Sequence, residues 1–443
     1  MLAVTLAAVV IRLAVSASFK GHSYVAAEPV KPETEATYLK RGEIGLGDSE
    51  QYLLLGAGIR HRLAYSWNHE PNTFRTPGYP LLLALLDDNV AAIVIVQALL
   101  AGLTVFLAGL VGIRLFNSRV GLLGGALLAL DVPSIFSSGM VMSEVLFTFF
   151  LVLAAALIWG SAPDRGRKTG DRKPGPMLGA ATAGLVLGFA VLVRPVALLA
   201  FVPFAFALVA RRNWRGLVWM LAAFSLLPGI WAGRNYLHYR RFSITSIGGY
   251  NLLYANAAAV TGDEQHVSQD SARLELAHEF TAKLATDNPL ELAEVMTRKA
   301  MSIILHDPIR YMLICLRGVP KVVAGIKSDD LVLRMLGVKV KTTPSSVLLN
   351  PGRGSSSVGL AIWLLAGFEL LTSVGGFLLA LASLGLRRWR AEKLQLLFVG
   401  LYFVAAALPL TDGRFRVPAM PFLYLAAATV LVGRVGRERA EGA

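Results

Sequence analysis

Cysteine is nearly absent from this sequence, and charged residues are scarce. A single thiol, Cys315, among 443 residues excludes an intrachain disulfide and any site built from several thiolates. Charged residues make up 16% of the chain, compared with roughly 25% in soluble globular domains. The seven histidines have no metal-ligand spacing. We therefore expect no metal site, and the composition is not that of a soluble domain.

Hydrophobic residues make up 55% of the chain, and they form long apolar runs that alternate with polar connections. Helices can cross lipid because each satisfies its own backbone groups. The pattern predicts an all-α polytopic membrane protein with about ten transmembrane helices. The predicted spans lie near 1–18, 90–113, 120–138, 142–160, 178–193, 196–210, 216–233, 358–386, 394–410 and 417–433.

The net charge of +14 orients the protein and does not indicate nucleic-acid binding. Lys and Arg concentrate in the C-terminal tail and in four short connections, at 114–119, 161–177, 211–215 and 387–393. Cytoplasmic loops of membrane proteins carry such an excess. We therefore predict that these connections face the cytoplasm and that the N-terminal run is a retained span, not a cleaved signal.

Six consecutive regions follow from this topology. They are a first transmembrane helix at 1–18, a first extracytoplasmic loop at 19–88, a transmembrane bundle at 89–233, a large extracytoplasmic region at 234–357, C-terminal transmembrane helices at 358–433 and a cytoplasmic tail at 434–443. Within the second long segment, 301–326 is apolar but interrupted by charges. We expect amphipathic helices there, lying at the interface.

Acidic residues near the membrane are functional candidates, because burying their charge in lipid is costly. Asp48 and Glu50 follow the first span in a polar loop, and the alternative is that they begin a helix. Glu144 stands at the outer end of a span, where an ordinary helix-start glutamate is the alternative. Asp131 and Glu369 have no assigned role, although Asp131 precedes a Val-Pro pair and could cap a helix break.

Five arginines on the predicted outer side are candidates, and three of them, Arg234, Arg414 and Arg416, run against the inside bias of the rest of the chain. Arg75 belongs to the run Phe-Arg-Thr-Pro-Gly-Tyr-Pro, which could hold a cation against a phosphate or form an interfacial turn. Arg194 precedes a proline and is interpreted mainly as part of a turn. Arg234, Arg414 and Arg416 could bind phosphate oxygens through their planar guanidinium groups, with snorkelling to lipid headgroups as the alternative.

Carboxylates beside arginines at a lipid–water boundary suit the transfer of a group from a phosphate-linked lipid to a hydroxyl. An aspartate can accept the proton of the attacking hydroxyl, and arginines can stabilise the departing phosphate. The phosphate is already a good leaving group, so no cofactor is required. If a divalent ion took part, Asp48, Glu50 and Glu144 are the residues that could share it.

The sequence resembles the glycosyltransferase C superfamily, in particular its bacterial branch related to protein O-mannosyltransferases and the lipid A aminoarabinose transferase. Six ordered pieces carry the resemblance: Gly47-Asp48 with Tyr52, Arg75-Thr76-Pro77-Gly78-Tyr79-Pro80, Met142-Ser143-Glu144-Val145-Leu146-Phe147-Thr148, Leu192-Val193-Arg194-Pro195, Pro228 and Trp231 with Arg234-Asn235 and Gly248-Gly249-Tyr250-Asn251, and Arg414-Phe415-Arg416-Val417-Pro418.

The resemblance implies a fold and a chemistry. It implies the superfamily's helical fold, Asp48 as catalytic base and Glu144 as a second acid that organises the site. It implies a polyprenyl-phosphate-linked sugar as donor, with its phosphate held by Arg75, Arg234, Arg414 and Arg416. It further implies inversion at the anomeric carbon on the extracytoplasmic face of the inner membrane. Glu50, Tyr52, Tyr79 and Asn251 are then expected to line the substrate pocket. Protein O-mannosyltransferases typically have an Asp-Glu pair where this chain has Asp48-Ser49-Glu50, so the acceptor stays open among lipid, glycan and protein.

Two other classes of function fit the same sequence. A flippase or transporter for polyprenyl-linked sugars also needs charges at membrane depth, but usually near mid-bilayer and in repeated halves. An accessory protein of envelope assembly would use its acids only for structure. Consumption of a lipid-linked sugar by the purified protein favours the enzyme, and carrier movement without turnover favours the flippase.

Overall fold

The computed structural model describes residues 1–19, 47–67, 70–160, 176–281, 286–336, 356–409 and 412–441. Most of the predicted cytoplasmic loop at 161–177 lies outside these ranges. Every described element is helical except a two-stranded antiparallel ladder of β1 (Ser66–Trp67) and β2 (Glu70–Pro71). The predicted all-α fold class is therefore confirmed for the described residues, apart from this short ladder.

The N-terminal half holds ten α-helices and one 3-10 helix among its described residues. They are α1 (Leu2–Ala17), α2 (Asp48–Arg62), α3 (Gly78–Leu85), α4 (Val90–Leu115), α5 (Ser118–Ala129), α6 (Val132–Ser138), α7 (Glu144–Gly160), α8 (Pro176–Val193), a 3-10 helix at Pro195–Leu199, α9 (Phe201–Ala210) and α10 (Trp214–Tyr239).

The C-terminal half begins with short helices and ends with long apolar ones. Its described elements are α11 (Ile247–Asn251), a π-helical turn at Leu252–Ala257, α12 (Ala258–Gln265), α13 (Gln269–Thr281), α14 (Pro289–His306), α15 (Pro308–Val323), α16 (Ser328–Leu336), α17 (Ser356–Ala382), a 3-10 helix at Ser383–Gly385, α18 (Arg390–Ala406), a 3-10 helix at Gly413–Arg416 and α19 (Met420–Glu441).

By length and composition, three helices of the described chain are able to cross a membrane: α4, α10 and most of α17. The count is four if the bent pair α5 and α6 forms one span. Shorter apolar helices occupy five more of the predicted positions, at Leu2–Ala17, Glu144–Gly160, Met177–Val193, Pro195–Ala210 and Met420–Gly433. These apolar helices agree with the predicted membrane protein, while the count of ten transmembrane helices stays a prediction.

The break between α5 and α6 has a local cause. The two helices meet at an angle of 58°, and Asp131 between them accepts a hydrogen bond from the Ser134 backbone N–H at 3.0 Å. A proline follows in the first turn of α6, where its missing N–H costs nothing. Asp131 is therefore the cap of a helix break, as its position before Val132-Pro133 indicated.

Close backbone packing joins α8 to α10 inside the bundle. Gly184 on α8 faces the carbonyl oxygen of Met220 on α10, and a Cβ added there would overlap that oxygen. Gly188 meets the carbonyl of Phe224 one turn further along. Lipid tails are as apolar as leucine, so helices in a membrane associate through such close contacts and not through hydrophobic burial.

Two helices in the second long segment have the predicted amphipathic character. The apolar stretch at 301–326 is divided at Asp307, where α14 ends and α15 begins. Leu305, Ile309, Met312 and Leu316 are exposed on this pair. The structure gives neither helix the length and apolarity of a span. The predicted span at 216–233 is part of a longer helix. α10 continues to Tyr239, so Arg234 lies on a helix and not in a loop.

Candidate active site

Asp48 is the first residue of α2, at the end of the helix that carries a partial positive charge. Its Oδ1 lies 2.5 Å from Nη2 of Arg75, and its Oδ2 lies 2.9 Å from Nη2 of Arg414. Burial alone would raise the pKa of Asp48, but the charges of Arg75 and Arg414 outweigh it and hold the pKa well below the usual range. Asp48 is therefore ionised at neutral pH.

Arg75 reaches Asp48 from the loop before α3 and is held on several sides. Its Nε donates to Oε1 of Gln51 at 2.7 Å, and its guanidinium carbon lies 5.0 Å from the centre of the Tyr52 ring. Tyr52 in turn contacts the edge of Tyr79, with ring centroids 4.9 Å apart. Tyr79 is fully buried and donates to Oε1 of Gln97 at 2.7 Å. The two tyrosines thus support Arg75.

Glu144 begins α7 and is 2% exposed. Its Oε1 lies 2.8 Å from Nη1 of Arg194 and 3.9 Å from Nε of Arg414. Arg414 therefore stands between the carboxylates of Asp48 and Glu144. The local sequence predicted only a turn-forming role for Arg194, but here its guanidinium neutralises a buried acid. It lies within 6 Å of the Phe147 and Phe415 ring centres, at 5.9 and 5.6 Å.

A cavity of about 350 Å³ opens beside Asp48. Its wall combines charged side chains from three parts of the chain with apolar side chains around the α6–α7 connection. The lining residues are Gly47, Asp48, Ser49, Phe136, Met140, Met142, Lys327, Asp330, Arg334, Asp412 and Arg414. The cavity thus combines carboxylates, cations and apolar surface.

Four charged residues of this wall were not among the predicted site residues: Lys327, Asp330, Arg334 and Asp412. Nζ of Lys327 lies 3.2 Å from Oδ2 of Asp330 and 3.2 Å from Oδ1 of Asp412. The two acids hold the pKa of Lys327 above its ordinary value, although burial opposes this. Asp412 lies two residues before Arg414, which begins the Arg-Phe-Arg-Val-Pro motif. Lys327 precedes Ser-Asp-Asp, which resembles an ordinary helix start and gave no signal.

Arg234 lies away from the cavity lining. Its Nη1 donates to the carbonyl of Asn72 at 3.0 Å, and its Nη2 donates to the carbonyl of Tyr65 at 3.1 Å. The Trp231 ring centre lies 4.8 Å from its guanidinium carbon. These contacts join α10 to the first loop. They support Arg75 indirectly, since the Tyr65 hydroxyl donates to the Arg75 carbonyl at 2.9 Å.

Arg416 is also outside the cavity lining, although Arg414 two residues earlier belongs to it. Arg416 and Glu369 are both 1% exposed, and their Nη2 and Oε1 atoms lie 2.9 Å apart. This pairing gives a place to one of the two acids that the sequence left unassigned. The guanidinium of Arg416 is engaged by Glu369 and does not reach the cavity lining.

The remaining predicted pocket residues have other contacts. Glu50 accepts from the Gly47 N–H at 3.1 Å and so closes the first turn of α2, as the helix-start alternative proposed. Burial raises the pKa of Glu50. Asn251 ends α11, and its carbonyl accepts from the side chain of Asn256 at 3.2 Å. Within the described ranges, no three His, Cys, Asp or Glu side chains cluster as metal ligands.

Comparison with known proteins agrees with the resemblance predicted from the motifs. Residues 84–255 match the model of the family described as dolichyl-phosphate-mannose-protein mannosyltransferase. The match confirms the predicted similarity to the mannosyltransferase branch of the glycosyltransferase C superfamily. No curated protein matches the chain.

Two groups of solved structures are similar to the chain. The archaeal oligosaccharyltransferase AglB from Archaeoglobus fulgidus, in complex with an inhibitory peptide and a dolichol-phosphate, has a TM-score of 0.48 and 16% identity over 98% of this chain and 51% of that one. The apo form of the oligosaccharyltransferase from that organism has a TM-score of 0.49 and 14% identity, over 99% and 52%. ArnT from Cupriavidus metallidurans, bound to undecaprenyl phosphate, has a TM-score of 0.39 and 11% identity, over 97% and 77%. The chain spans about half the length of the archaeal enzyme.

Proposed function

We propose that the protein transfers a sugar from a polyprenyl-phosphate carrier to a hydroxyl group of a lipid, glycan or protein outside the cytoplasm. The reaction takes place at the inner membrane and inverts the anomeric carbon. One observation carries the proposal: Asp48 lies at the wall of a cavity, with its two carboxylate oxygens held by Arg75 and Arg414. A carboxylate fixed beside phosphate-binding cations is what this reaction needs.

The cavity fits the chemistry of the donor. Phe136, Met140 and Met142 offer apolar surface for the first isoprene units, while Arg414 faces the same space. The guanidinium group presents several donors in one plane and suits phosphate oxygens. The matching family is described by a dolichyl-phosphate-linked donor, which supports a polyprenyl-phosphate sugar for this chain.

The reaction divides between Asp48 and Arg414. Asp48 accepts the proton of the acceptor hydroxyl while the hydroxyl oxygen attacks the anomeric carbon. The bond between that carbon and the phosphate oxygen breaks, and the polyprenyl phosphate leaves with the electron pair. Arg414 stabilises the negative charge that develops on the phosphate. Attack from the face opposite the leaving group inverts the anomeric carbon.

Donor binding also makes Asp48 a better base. In the free protein Arg75 and Arg414 lower its pKa, so the carboxylate is ionised but weakly basic. The donor phosphate competes with Asp48 for Arg414. Losing part of that contact raises the pKa of Asp48 and strengthens its hold on the acceptor proton. The base is thereby activated when the donor is in place.

The proposal is tested with the purified protein and a panel of undecaprenyl-phosphate-linked hexoses and pentoses. A membrane extract supplies acceptor hydroxyl groups, and release of undecaprenyl phosphate is measured by mass spectrometry. We expect acceptor-dependent release for one donor. Absence of release with every donor, together with movement of intact lipid-linked sugar across vesicles, would replace the enzyme by a flippase.

A further inference from the structure

The turn between α15 and α16 is held by a carboxylate from a membrane helix. Glu369 on α17 accepts hydrogen bonds from the backbone N–H of Lys327 at 3.0 Å and of Ser328 at 3.0 Å. The Ser328 hydroxyl also donates to Glu369. These amides lie at the start of α16, where backbone donors have no partner within the helix. Glu369 therefore acts as the cap of α16 from another element.

Arg416 holds the same turn from its other side. Its Nη2 pairs with Glu369 at 2.9 Å, and its Nη1 donates to the carbonyl groups of Gly325 and Val322. The backbones of Gly325 and Gly413 touch, because a Cβ on Gly325 would lie 2.7 Å from Gly413 Cα. Hydrogen bonds thus fix both the amide groups and the carbonyl groups of this turn. The turn packs directly against the segment that carries Arg414.

This arrangement directs Lys327 into the cavity. The Lys327 side chain is 13% exposed and reaches Asp330 and Asp412, which line the same space as Asp48 and Arg414. A fully buried ion pair such as Glu369 with Arg416 is weak evidence for stability, because apolar residues of similar size often do as well. The pair does, however, determine where the backbone of Lys327 lies.

We propose that Lys327 binds the phosphate of the lipid donor together with Arg414, and that Glu369 is the positioning residue that holds Lys327 there. The inference rests on the proposed function, which supplies the ligand. On binding, the Lys327 ammonium exchanges one of its two carboxylate partners for a phosphate oxygen, without a change of covalent bonds. Glu369 acts through the turn and has no contact with the ligand.

The test measures binding of undecaprenyl phosphate to the full-length protein in detergent, with undecaprenol as the probe that lacks the phosphate. We expect Lys327→Met to weaken undecaprenyl phosphate binding about tenfold or more, or roughly 1.4 kcal/mol, and to leave undecaprenol binding unchanged. Lys321→Met is the matched control, since Lys321 is an exposed lysine on α15 outside the cavity lining. Equal binding by wild type and Lys327→Met would overturn the assignment.

A double-mutant cycle tests Glu369. We expect Glu369→Gln to weaken undecaprenyl phosphate binding about fivefold, and Glu369→Gln with Lys327→Met to bind no more weakly than Lys327→Met alone, because both act through one contact. Ser373→Ala, at a buried serine on the same helix, controls for disturbance of α17. Additive losses would overturn the positioning role. If Glu369→Gln does not fold, Ser328→Ala removes one donor to Glu369 and completes the same cycle.

The two proposals fail in different ways. If wild-type protein binds undecaprenyl phosphate no better than undecaprenol, the lipid-phosphate donor itself is wrong. If wild type prefers the phosphate and Arg414→Ala loses that preference while Lys327→Met keeps it, the proposed function stands and the role of Lys327 is wrong.

Discussion

Arg414 and Asp48 are separated by 366 positions in the chain, and their side chains meet at 2.9 Å. One follows α18 near the C-terminus and the other begins the first loop helix. Arg414 also lies 3.9 Å from Glu144. A single guanidinium group therefore connects both acids of the candidate site, and four predictions follow from its contacts and those of its partners.

Replacing Asp48 by Asn keeps the shape of the side chain but removes the base. We expect sugar transfer to fall by a factor of about 100 or more, with the Tm changed by only a few degrees, because the side chain is one-third exposed. Carrier release and thermal unfolding are measured on the same preparation. Asp87→Asn is the control, since Asp87 is an exposed acid that pairs with Arg60. Turnover at the wild-type rate would remove Asp48 from the mechanism.

Truncating Arg414 removes a cation from the cavity wall. We expect Arg414→Ala to raise the KM for the lipid-linked donor about tenfold or more and to change the acceptor KM little, because the phosphate belongs to the donor. Arg75→Ala should act in the same direction. Arg60→Ala, at an exposed arginine on α2, serves as the control in steady-state kinetics. A larger effect on the acceptor KM would mean that the phosphate is held elsewhere.

The pH dependence of transfer reports the state of Asp48. Its pKa is lowered in the free protein, so kcat/KM should stay flat from neutral pH to below pH about 4, near the ordinary aspartate value. The acid limb of kcat should lie at higher pH, because the bound phosphate competes for Arg414. Rate profiles at low and saturating donor separate the two limbs.

A variant that lacks a cation next to Asp48 is the control for the pH profile of kcat/KM. In Arg75→Gln the pKa of Asp48 should rise, because the nearest positive charge is lost. The acid limb of kcat/KM then moves to higher pH. An acid limb at the same pH in both proteins would assign the titration to another group.

The pair of Glu144 and Arg194 should matter for folding as well as for activity. Glu144→Gln leaves Arg194 without the charge that compensates it, and removing one partner of a buried pair costs about 3 kcal/mol. We expect a lower Tm for Glu144→Gln and partial recovery in Glu144→Gln with Arg194→Met. Thermal unfolding in detergent measures both. Equal Tm values for wild type and Glu144→Gln would contradict the buried pairing.

Local patterns in the sequence predicted the elements and singled out several of the residues that the structure brings together. Apolar run length indicated the long helices, and the position of Asp131 before Val132-Pro133 indicated its cap. The charge of Asp48 and of Glu144 near the membrane singled both out, because such charges need partners. In each case the physical cause lies within a few residues of the side chain concerned.

The pairings between distant residues could not be predicted in that way. Arg414 and Arg416 belong to the same Arg-Phe-Arg motif. Arg414 faces the cavity, whereas Arg416 is buried against Glu369. The difference depends on the 3-10 turn at Gly413–Arg416 and on packing against α17. Lys327 was missed for the same reason, since its role depends on Glu369 and Asp412, both far away in the sequence.

The charges of the cavity wall cancel before any ligand arrives. Three carboxylates face three cations there: Asp48, Asp330 and Asp412, with Lys327, Arg334 and Arg414. An anion that enters must displace an existing ion pair, so its affinity depends on exchange and not on attraction to a bare positive patch. Binding should then vary little with ionic strength. In the proposed reaction, re-formation of the internal pairs after sugar transfer would favour release of the spent carrier and ready the cavity for the next turnover.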